Sequence, residues 1–187
     1  TTVGADHWHT VVVDECHRSG FGDWFGVLEH FRIALQLGLT ATPREPVATG
    51  GADVAGSCLC GAVAYAIDGK PMRMYYCHCS RCRLGRSAAH ASNVFFKAGG
   101  FRWVRGADFV REYALPGTKF FGTAFCGRCG SEMPRVSLER DVVNVPAGSL
   151  DTDPGIEPAA HIFVGSKASW ERITDSIPQF AEMPTRA

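Results

Sequence analysis

Seven of the eight cysteines in this 187-residue chain lie in short clusters whose spacing suits metal binding. They occur as a Cys-x-Cys pair, a triplet and a Cys-x2-Cys pair: Cys58 and Cys60; Cys77, Cys79 and Cys82; Cys126 and Cys129. Disulfides are the less favoured alternative, because cysteines this close bridge with difficulty and residues 1–20 lack the basic-then-apolar order of a secretory signal. Tetrahedral zinc binds thiolate sulfurs at about 2.3 Å, so the clusters predict zinc.

Seven thiolates exceed the capacity of one tetrahedral ion and divide into four plus three. A closed site with four thiolates serves structure, whereas a site with three keeps a position open for water or a substrate atom. The open position makes the metal a Lewis acid or a thiolate-binding centre. We therefore expect two zinc ions per chain, although the spacing alone does not assign individual cysteines to either site.

Other residues able to bind a metal are expected to have structural roles. His78 lies between two cysteines, and adjacent residues rarely close on one tetrahedral ion, so it is not predicted to be a ligand. His90 and His161 have no cysteine close by in sequence, and His161, in an apolar strand, is expected to be packed and hydrogen-bonded. Cys16 is isolated and is expected to be an inert small hydrophobic residue.

The charge of the chain is balanced overall, with 19 basic and 19 acidic residues, but it is uneven locally. Between Lys70 and Arg111 there are nine basic residues and one acid, Asp108. A basic rim around an open metal suits a small anionic thiol such as glutathione. The alternative is a solvated basic face, because strand alternation directs several of these side chains outward.

The elements that must position the cysteines are predicted to be mainly β strands from Gly56 onward, without a convincing helix. Trp103 and Trp170 are interpreted as core aromatics. The predicted strands are Val63–Ile67, Met74–Tyr76, Asn93–Phe96, Phe101–Val104, Phe109–Tyr113, Phe120–Phe125, Val142–Val145 and His161–Val164.

Residues 1–46 are predicted to form a separate α/β fragment with its linker, ahead of a zinc-binding domain at residues 47–187. Val11–Val13 is a continuous apolar run typical of a strand buried on both faces. Apolar residues from Phe25 to Leu35 recur near helical spacing, Gly38 is expected to end that helix, and Leu39–Ala41 to begin another strand. Prolines and glycines at residues 43–51 indicate a linker.

The fragment resembles superfamily 2 helicases in two motifs, the DExH-box-like Val11–Arg18 and the Thr-Ala-Thr-like Leu37–Pro43. The resemblance implies that Asp14 and Glu15 derive from residues that organise Mg²⁺ and water on ATP. The 187 residues contain no G-x-x-x-x-G-K-[ST] phosphate loop, so we expect no ATP hydrolysis. The fragment is interpreted as a remnant or a fusion segment.

Residues 54–182 resemble the glutathione-dependent formaldehyde-activating family, which also includes the centromere protein V group. The resemblance lies in motifs that occur in family order: Gly56–Val63, Cys77–Arg83, Phe125–Ser131, Gly148–Asp151, His161–Val164, Ser166–Trp170 and Pro178–Phe180. It implies an Mss4-like zinc-binding β fold and a carbon–sulfur lyase. Residues 83–88 depart from the family pattern of an arginine, a few residues, then glycine and a small residue.

The resemblance also implies which cysteines belong together. The structural zinc would be bound by Cys58, Cys60, Cys126 and Cys129, and the catalytic zinc by Cys77, Cys79 and Cys82. The expected reaction forms or cleaves S-hydroxymethylglutathione from glutathione and formaldehyde, or acts on a related thiol adduct.

The alternative function is a non-catalytic, zinc-stabilised module with a basic face that binds nucleic acid, stacking bases on Phe95, Phe96, Phe101 or Trp103. Nucleic acid is the less expected partner. No apolar run approaches the roughly 20 residues of a membrane span, so a cytoplasmic protein without a membrane partner is expected. The sequence does not predict an oligomeric state.

Overall fold

The computed structural model describes residues 10–14, 35–39 and 51–184. The chain splits into two compact units, Thr1–Glu45 and Pro46–Ala187. Cys16, residues 25–34 of the predicted helix and residues 43–50 of the predicted linker lie outside the described residues.

In the first unit, strand β1 (Thr10–Asp14) pairs in parallel with strand β2 (Leu35–Leu39). The strand predicted around Val11–Val13 is confirmed, although its burial lies outside what is described. The second strand was predicted to begin at Leu39, after a helix ended by Gly38. This prediction was wrong, because the strand begins at Leu35 and includes Gly38. Leucine occupies every second position from 35 to 39, and this period of two is typical of a strand.

The second unit is mainly β, as predicted. Within residues 51–184 it has one α helix, α1 (Ser80–Arg86), and eleven strands: β3 (Val54–Ser57), β4 (Ala64–Ile67), β5 (Arg73–Cys77), β6 (Ala91–Phe96), β7 (Phe101–Arg105), β8 (Val110–Ala114), β9 (Gly122–Cys126), β10 (Glu132–Met133), β11 (Arg135–Ser137), β12 (Val142–Pro146) and β13 (Ala160–Ile162).

These strands form a five-stranded sheet in the order β11-β12-β6-β5-β13 and two three-stranded sheets, β3-β4-β7 and β10-β9-β8. In the five-stranded sheet β13 runs parallel to β5, and the other pairs are antiparallel. The main core cluster joins that sheet to β4 through the buried side chains of Tyr65, Ile67, Val94, Phe96 and Val143.

Helix α1 corrects the expectation of a helix-free β unit. None of its seven residues is buried, so it has no apolar stripe that a sequence pattern would reveal. Capping defines its two ends instead. The Sγ atom of Cys79 accepts a hydrogen bond from the Cys82 N–H at 3.4 Å, and Ser87 ends the helix in a left-handed conformation with φ 49°.

The two predicted core tryptophans differ. Trp103 packs edge-on against the buried ring of Tyr65, with ring centroids 6.2 Å apart. Trp170 is 71% exposed, so its assignment to the core was wrong. It lies in the irregular segment that follows β13, where no strand period directs its side chain inward. Among the described residues, no helix has the length and apolar character needed to span a membrane.

Candidate active site

Four cysteines come together where two turns meet. Cys58 and Cys60 lie in the turn after β3, Cys126 ends β9, and Cys129 lies in the turn that follows. Their Sγ atoms all lie within 4.8 Å of one another, with 3.5 Å between Cys58 and Cys60 and 4.0 Å between Cys60 and Cys126. Tetrahedral zinc with bonds of about 2.3 Å separates its sulfurs by about 3.8 Å, so the four residues fit a closed zinc site.

The two turns share one design, in which a glycine allows the chain to reverse. Gly61, at φ +71°, donates its N–H to the Cys58 carbonyl at 2.9 Å. Gly130, at φ +74°, donates its N–H to the Cys126 carbonyl at 2.8 Å. Both glycines have the left-handed conformation that side chains disfavour, and each turn thereby brings its two sulfurs to one side.

Burial and hydrogen bonding shift the pKa values of two cysteines of this set in opposite directions. Val63 donates its N–H to the Cys58 Sγ at 3.2 Å, yet burial raises the pKa of Cys58 to about 11. Burial opposes ionisation of Cys129 as well, but contacts with Ser131 outweigh it and lower the pKa of Cys129 to about 6. Thiolates this close to one another repel, and a cation bound among them would offset that repulsion.

The triplet is a second, separate set. Cys77 ends β5, Cys79 caps α1, and Cys82 lies in its first turn; their Sγ atoms lie within 4.8 Å of one another. Hydrogen bonds from Cys77 and Cys82 lower the pKa of Cys79. The hydrogen bond to Cys79 raises the pKa of Cys77, and hydrogen bonds to Cys77 and then to Cys79 raise the pKa of Cys82. Three thiolates this close to one another repel, and a cation at their centre would offset that repulsion. The donor chemistry fits zinc with one position left open.

A third polar cluster lies beside the triplet in sequence but on the other face of the sheet. Cys77 pairs with Ala91 and with Ile162, so these three residues share one face. Tyr76 points to the opposite face, and its ring contacts His90 and His161 with centroids 4.7 and 5.2 Å apart.

The histidines form a hydrogen-bonded chain with two carboxylates. His78 Nδ1 is 2.9 Å from Glu171 Oε2, and His90 Nδ1 is 3.2 Å from Glu171 Oε1. At the other end, His78 Nε2 is 2.8 Å from His161 Nδ1, and His161 Nε2 is 3.0 Å from Asp175. His161, at 2% exposure, is packed and hydrogen-bonded as predicted.

The two carboxylates at the ends of this hydrogen-bonded chain determine which histidine nitrogens carry protons. Carboxylates only accept, so His78 donates from Nδ1 to Glu171 and His161 donates from Nε2 to Asp175. Burial opposes ionisation of Glu171, but hydrogen bonds from His78 and His90 lower its pKa. The pKa of Asp175 is lowered by the Ile177 N–H and by His161. The carboxylates of Glu171 and Asp175 thus hold the rings of His78 and His161 between them by hydrogen bonds.

A cavity of about 120 Å³ borders the triplet on its own face of the sheet. Cys82 forms part of its wall, together with guanidinium, amide and aromatic groups: Arg86, Arg135, Arg140, Asn93, Asn144, Phe95, Phe120 and Phe121. A second cavity of about 260 Å³ shares Phe95, Arg140 and Val142 with the first and is also lined by Arg73. The two spaces therefore adjoin.

Three of the basic residues between Lys70 and Arg111 pair with acidic residues in the structure. Lys97 pairs with Asp141 at 2.8 Å, Arg102 pairs with Asp68, and Arg86 pairs with Glu132 in the cavity wall. Arg135 and Arg140 follow the predicted basic segment by more than 20 residues, and sequence reasoning missed them. The signal that identifies them is the pairing of β11 and β12 beside β6, which sequence spacing alone does not show.

Comparisons with known proteins match two separate parts of the chain. A family model for glutathione-dependent formaldehyde-activating enzymes matches residues 53–166. The model for the res subunit of type III restriction enzymes matches residues 1–45, which confirms the helicase-like fragment.

Two individual proteins are also similar to parts of the chain. A type I restriction enzyme endonuclease subunit, EcoAI from Escherichia coli, is 44% identical over 46 residues, which is 23% of this chain and 6% of that protein. The chain thus spans a small part of that relative. A crystal structure of a Rhodobacter sphaeroides protein is similar with a TM-score of 0.41 and 24% identity, covering 56% of this chain and 91% of that one.

The two family matches differ in weight because of their lengths. The match at residues 1–45 covers a fragment, whereas the match at residues 53–166 covers more than half of the chain and includes all seven clustered cysteines. The chain therefore belongs to the glutathione-dependent formaldehyde-activating enzyme family.

Proposed function

We propose that the chain is a zinc-dependent carbon–sulfur lyase-type enzyme. It forms or cleaves S-hydroxymethylglutathione from glutathione and formaldehyde, or acts on a related small thiol adduct. The observation that carries the proposal is the position of Cys82, which belongs to the open three-sulfur set and also forms the wall of an arginine-lined cavity. A thiol substrate in that cavity would lie beside a sulfur of the set that would hold the metal.

The proposal assigns two zinc ions per chain to the two cysteine sets. Cys77, Cys79 and Cys82 hold the catalytic ion, and the remaining set holds a structural ion: Cys58, Cys60, Cys126 and Cys129. When bound at the open set, zinc lowers the pKa of a coordinated thiol and holds its thiolate at neutral pH.

The cavity residues suit glutathione, which has two carboxylates, one ammonium group and a thiol. Arg135 and Arg140 supply positive charge, and the amides of Asn93 and Asn144 supply further hydrogen-bonding groups. The adjoining cavity extends the site past Arg140 toward Arg73, as an elongated tripeptide requires. Phe95, Phe120 and Phe121 supply the apolar part of the cavity wall.

The reaction is an addition that needs no further reactant. The sulfur lone pair forms a C–S bond to formaldehyde, the carbon–oxygen π bond breaks, and the thiol proton ends on the new hydroxyl oxygen. Cleavage is the reverse. The chain contributes by holding the thiol and by keeping the carbonyl carbon near it, since proximity and orientation reduce the entropic barrier of a bimolecular step.

The alternative, a nucleic-acid-binding module, receives less support from the aromatic side chains. Phe96 is only 1% exposed, and Phe101 and Trp103 pack against Tyr65 in the core. These three rings are therefore engaged in packing, and the fourth, Phe95, lines the proposed substrate cavity. Among the basic residues of that face, Lys97 and Arg102 pair with acids, and Arg73 and Arg86 line the cavities.

The test is the exchange of ¹³C-formaldehyde with S-hydroxymethylglutathione, measured by NMR at chemical equilibrium. The exchange rate without protein is measured in the same way and subtracted. The wild-type protein should accelerate exchange, and Cys79→Ser should abolish the acceleration. Cys16→Ser is the matched control, because it removes the one cysteine outside the clusters. Wild-type exchange at the uncatalysed rate, with both zinc ions bound, would contradict the proposal.

A further inference from the structure

The chain of hydrogen bonds around His78 joins distant parts of the sequence at one point next to the triplet. Its members come from the loop after β5, from the residue before β6, from β13 and from the irregular segment that follows β13. The C-terminal segment supplies both carboxylates, Glu171 and Asp175. The proposed reaction uses none of these side chains, so the cluster needs a separate explanation.

His78 is held more firmly than its neighbours in the loop. Its side chain has no exposed surface, both of its ring nitrogens are hydrogen-bonded, and its N–H donates to the Ile162 carbonyl at 2.9 Å. A ring held at both nitrogens has one orientation, and together with the bonded backbone N–H it fixes the position of residue 78. The residues on either side are Cys77 and Cys79.

We propose that Glu171 and Asp175 are positioning residues that act through His78 to set the spacing of Cys77 and Cys79 and thereby the affinity of the triplet for its metal. This inference rests on the proposed function, because it takes the triplet as the open zinc site. Neither carboxylate is among the residues that line the two cavities, and each acts through the histidine ring.

A metal ion among His78, His90 and Glu171 is the competing explanation, since their nitrogen and oxygen atoms lie within 4.8 Å of one another. The separation of 2.9 Å between His78 and Glu171 is the usual N–H···O hydrogen-bond length. Zinc bonds of about 2.0 Å would separate tetrahedral ligands by about 3.3 Å. The shorter distance favours a hydrogen bond, and zinc content decides between the two explanations.

The experiment measures zinc content and zinc affinity in the full chain by competition with a chromophoric chelator, together with the visible spectrum after cobalt substitution. The variants are Glu171→Gln and Asp175→Asn, which independently alter the two carboxylates at the ends of the hydrogen-bonded histidine cluster. Glu182→Gln is the matched control, because it makes the same chemical change at an exposed position of the C-terminal segment. Cys79→Ser identifies the weaker zinc ion as the one at the triplet.

Glu171→Gln should weaken zinc binding at the triplet by about tenfold and shift the cobalt spectrum, because outer residues that orient a metal site typically contribute 10–100-fold. Asp175→Asn should weaken it less, since its side chain is 45% exposed and lies one residue further away. Affinity at the four-cysteine site and the behaviour of Glu182→Gln should remain unchanged. If Glu171→Gln does not fold, the result for Asp175→Asn decides.

Two results would overturn the inference. One is unchanged triplet affinity and an unchanged cobalt spectrum in both variants. The other is a third zinc equivalent in the wild-type protein that is lost in Glu171→Gln, because the cluster would then be a metal site itself. If Cys79→Ser removes no zinc, the proposed function fails first, and the two failures are thus distinguishable.

Discussion

Replacement of one cysteine in each set should affect stability very differently. Cys58 is fully buried, accepts the Val63 N–H and belongs to a closed set of four sulfurs. Zinc at a closed thiolate site contributes roughly 10–16 kcal/mol of apparent binding energy, which is comparable with the roughly 5–15 kcal/mol by which a typical domain is stable. Cys58→Ser should therefore unfold the β unit.

Cys79→Ser should leave the same unit folded. Cys79 lies in an open set at the end of a sheet, and serine at its position still has an oxygen able to cap α1. We expect a loss near 1 kcal/mol, which corresponds to a melting temperature lower by about 2–4 °C for a chain of this size.

The assay is thermal unfolding followed by circular dichroism, with zinc measured on the same samples. Excess chelator should reduce the stability of the wild-type protein to that of Cys58→Ser, and Cys16→Ser should match the wild type. Equal losses of melting temperature in Cys58→Ser and Cys79→Ser would refute the assignment of one closed and one open set.

Three further results are expected. Arg140→Gln should raise the KM for glutathione about fivefold with little change in kcat, as for an exposed charge pair of about 1 kcal/mol, whereas the exposed Arg172→Gln should not; equal kinetics would remove Arg140 from the site. Gly56→Ala should cost about 1–3 kcal/mol in urea unfolding, because the new Cβ would lie 2.2 Å from the buried Tyr65 hydroxyl; a smaller loss would show that this contact relaxes. Residues 47–187 alone should keep both zinc ions and the exchange activity, and the full chain should not hydrolyse ATP; activity lost with both metals kept would place the first unit in the site.

The cysteine sets could be predicted because the relevant signal is local. Spacing of one or two residues brings sulfurs together within a single turn, whatever the surrounding fold. The two glycines that follow the pairs, Gly61 and Gly130, supply the left-handed turns. Spacing predicted four plus three, whereas the family resemblance was needed to say which pair joins which.

The histidine cluster could not be predicted, because it depends on strand register. His78, His90 and His161 meet only through the pairing of β5 with β6 and with β13. The carboxylate of Glu171 comes from an irregular segment whose path no periodic pattern describes. Helix α1 was missed for a similar reason, since its stability depends on caps and on neighbouring cysteines and not on an apolar stripe.

Zinc content combined with zinc X-ray absorption tests the central claim most directly. The account predicts two zinc ions per chain and a shell that averages about 3.5 sulfurs per ion. Cys79→Ser should then retain one zinc, surrounded by four sulfurs. A single zinc ion in the wild-type protein, or a Cys79→Ser variant that keeps both ions, would contradict the division into a closed structural site and an open catalytic one.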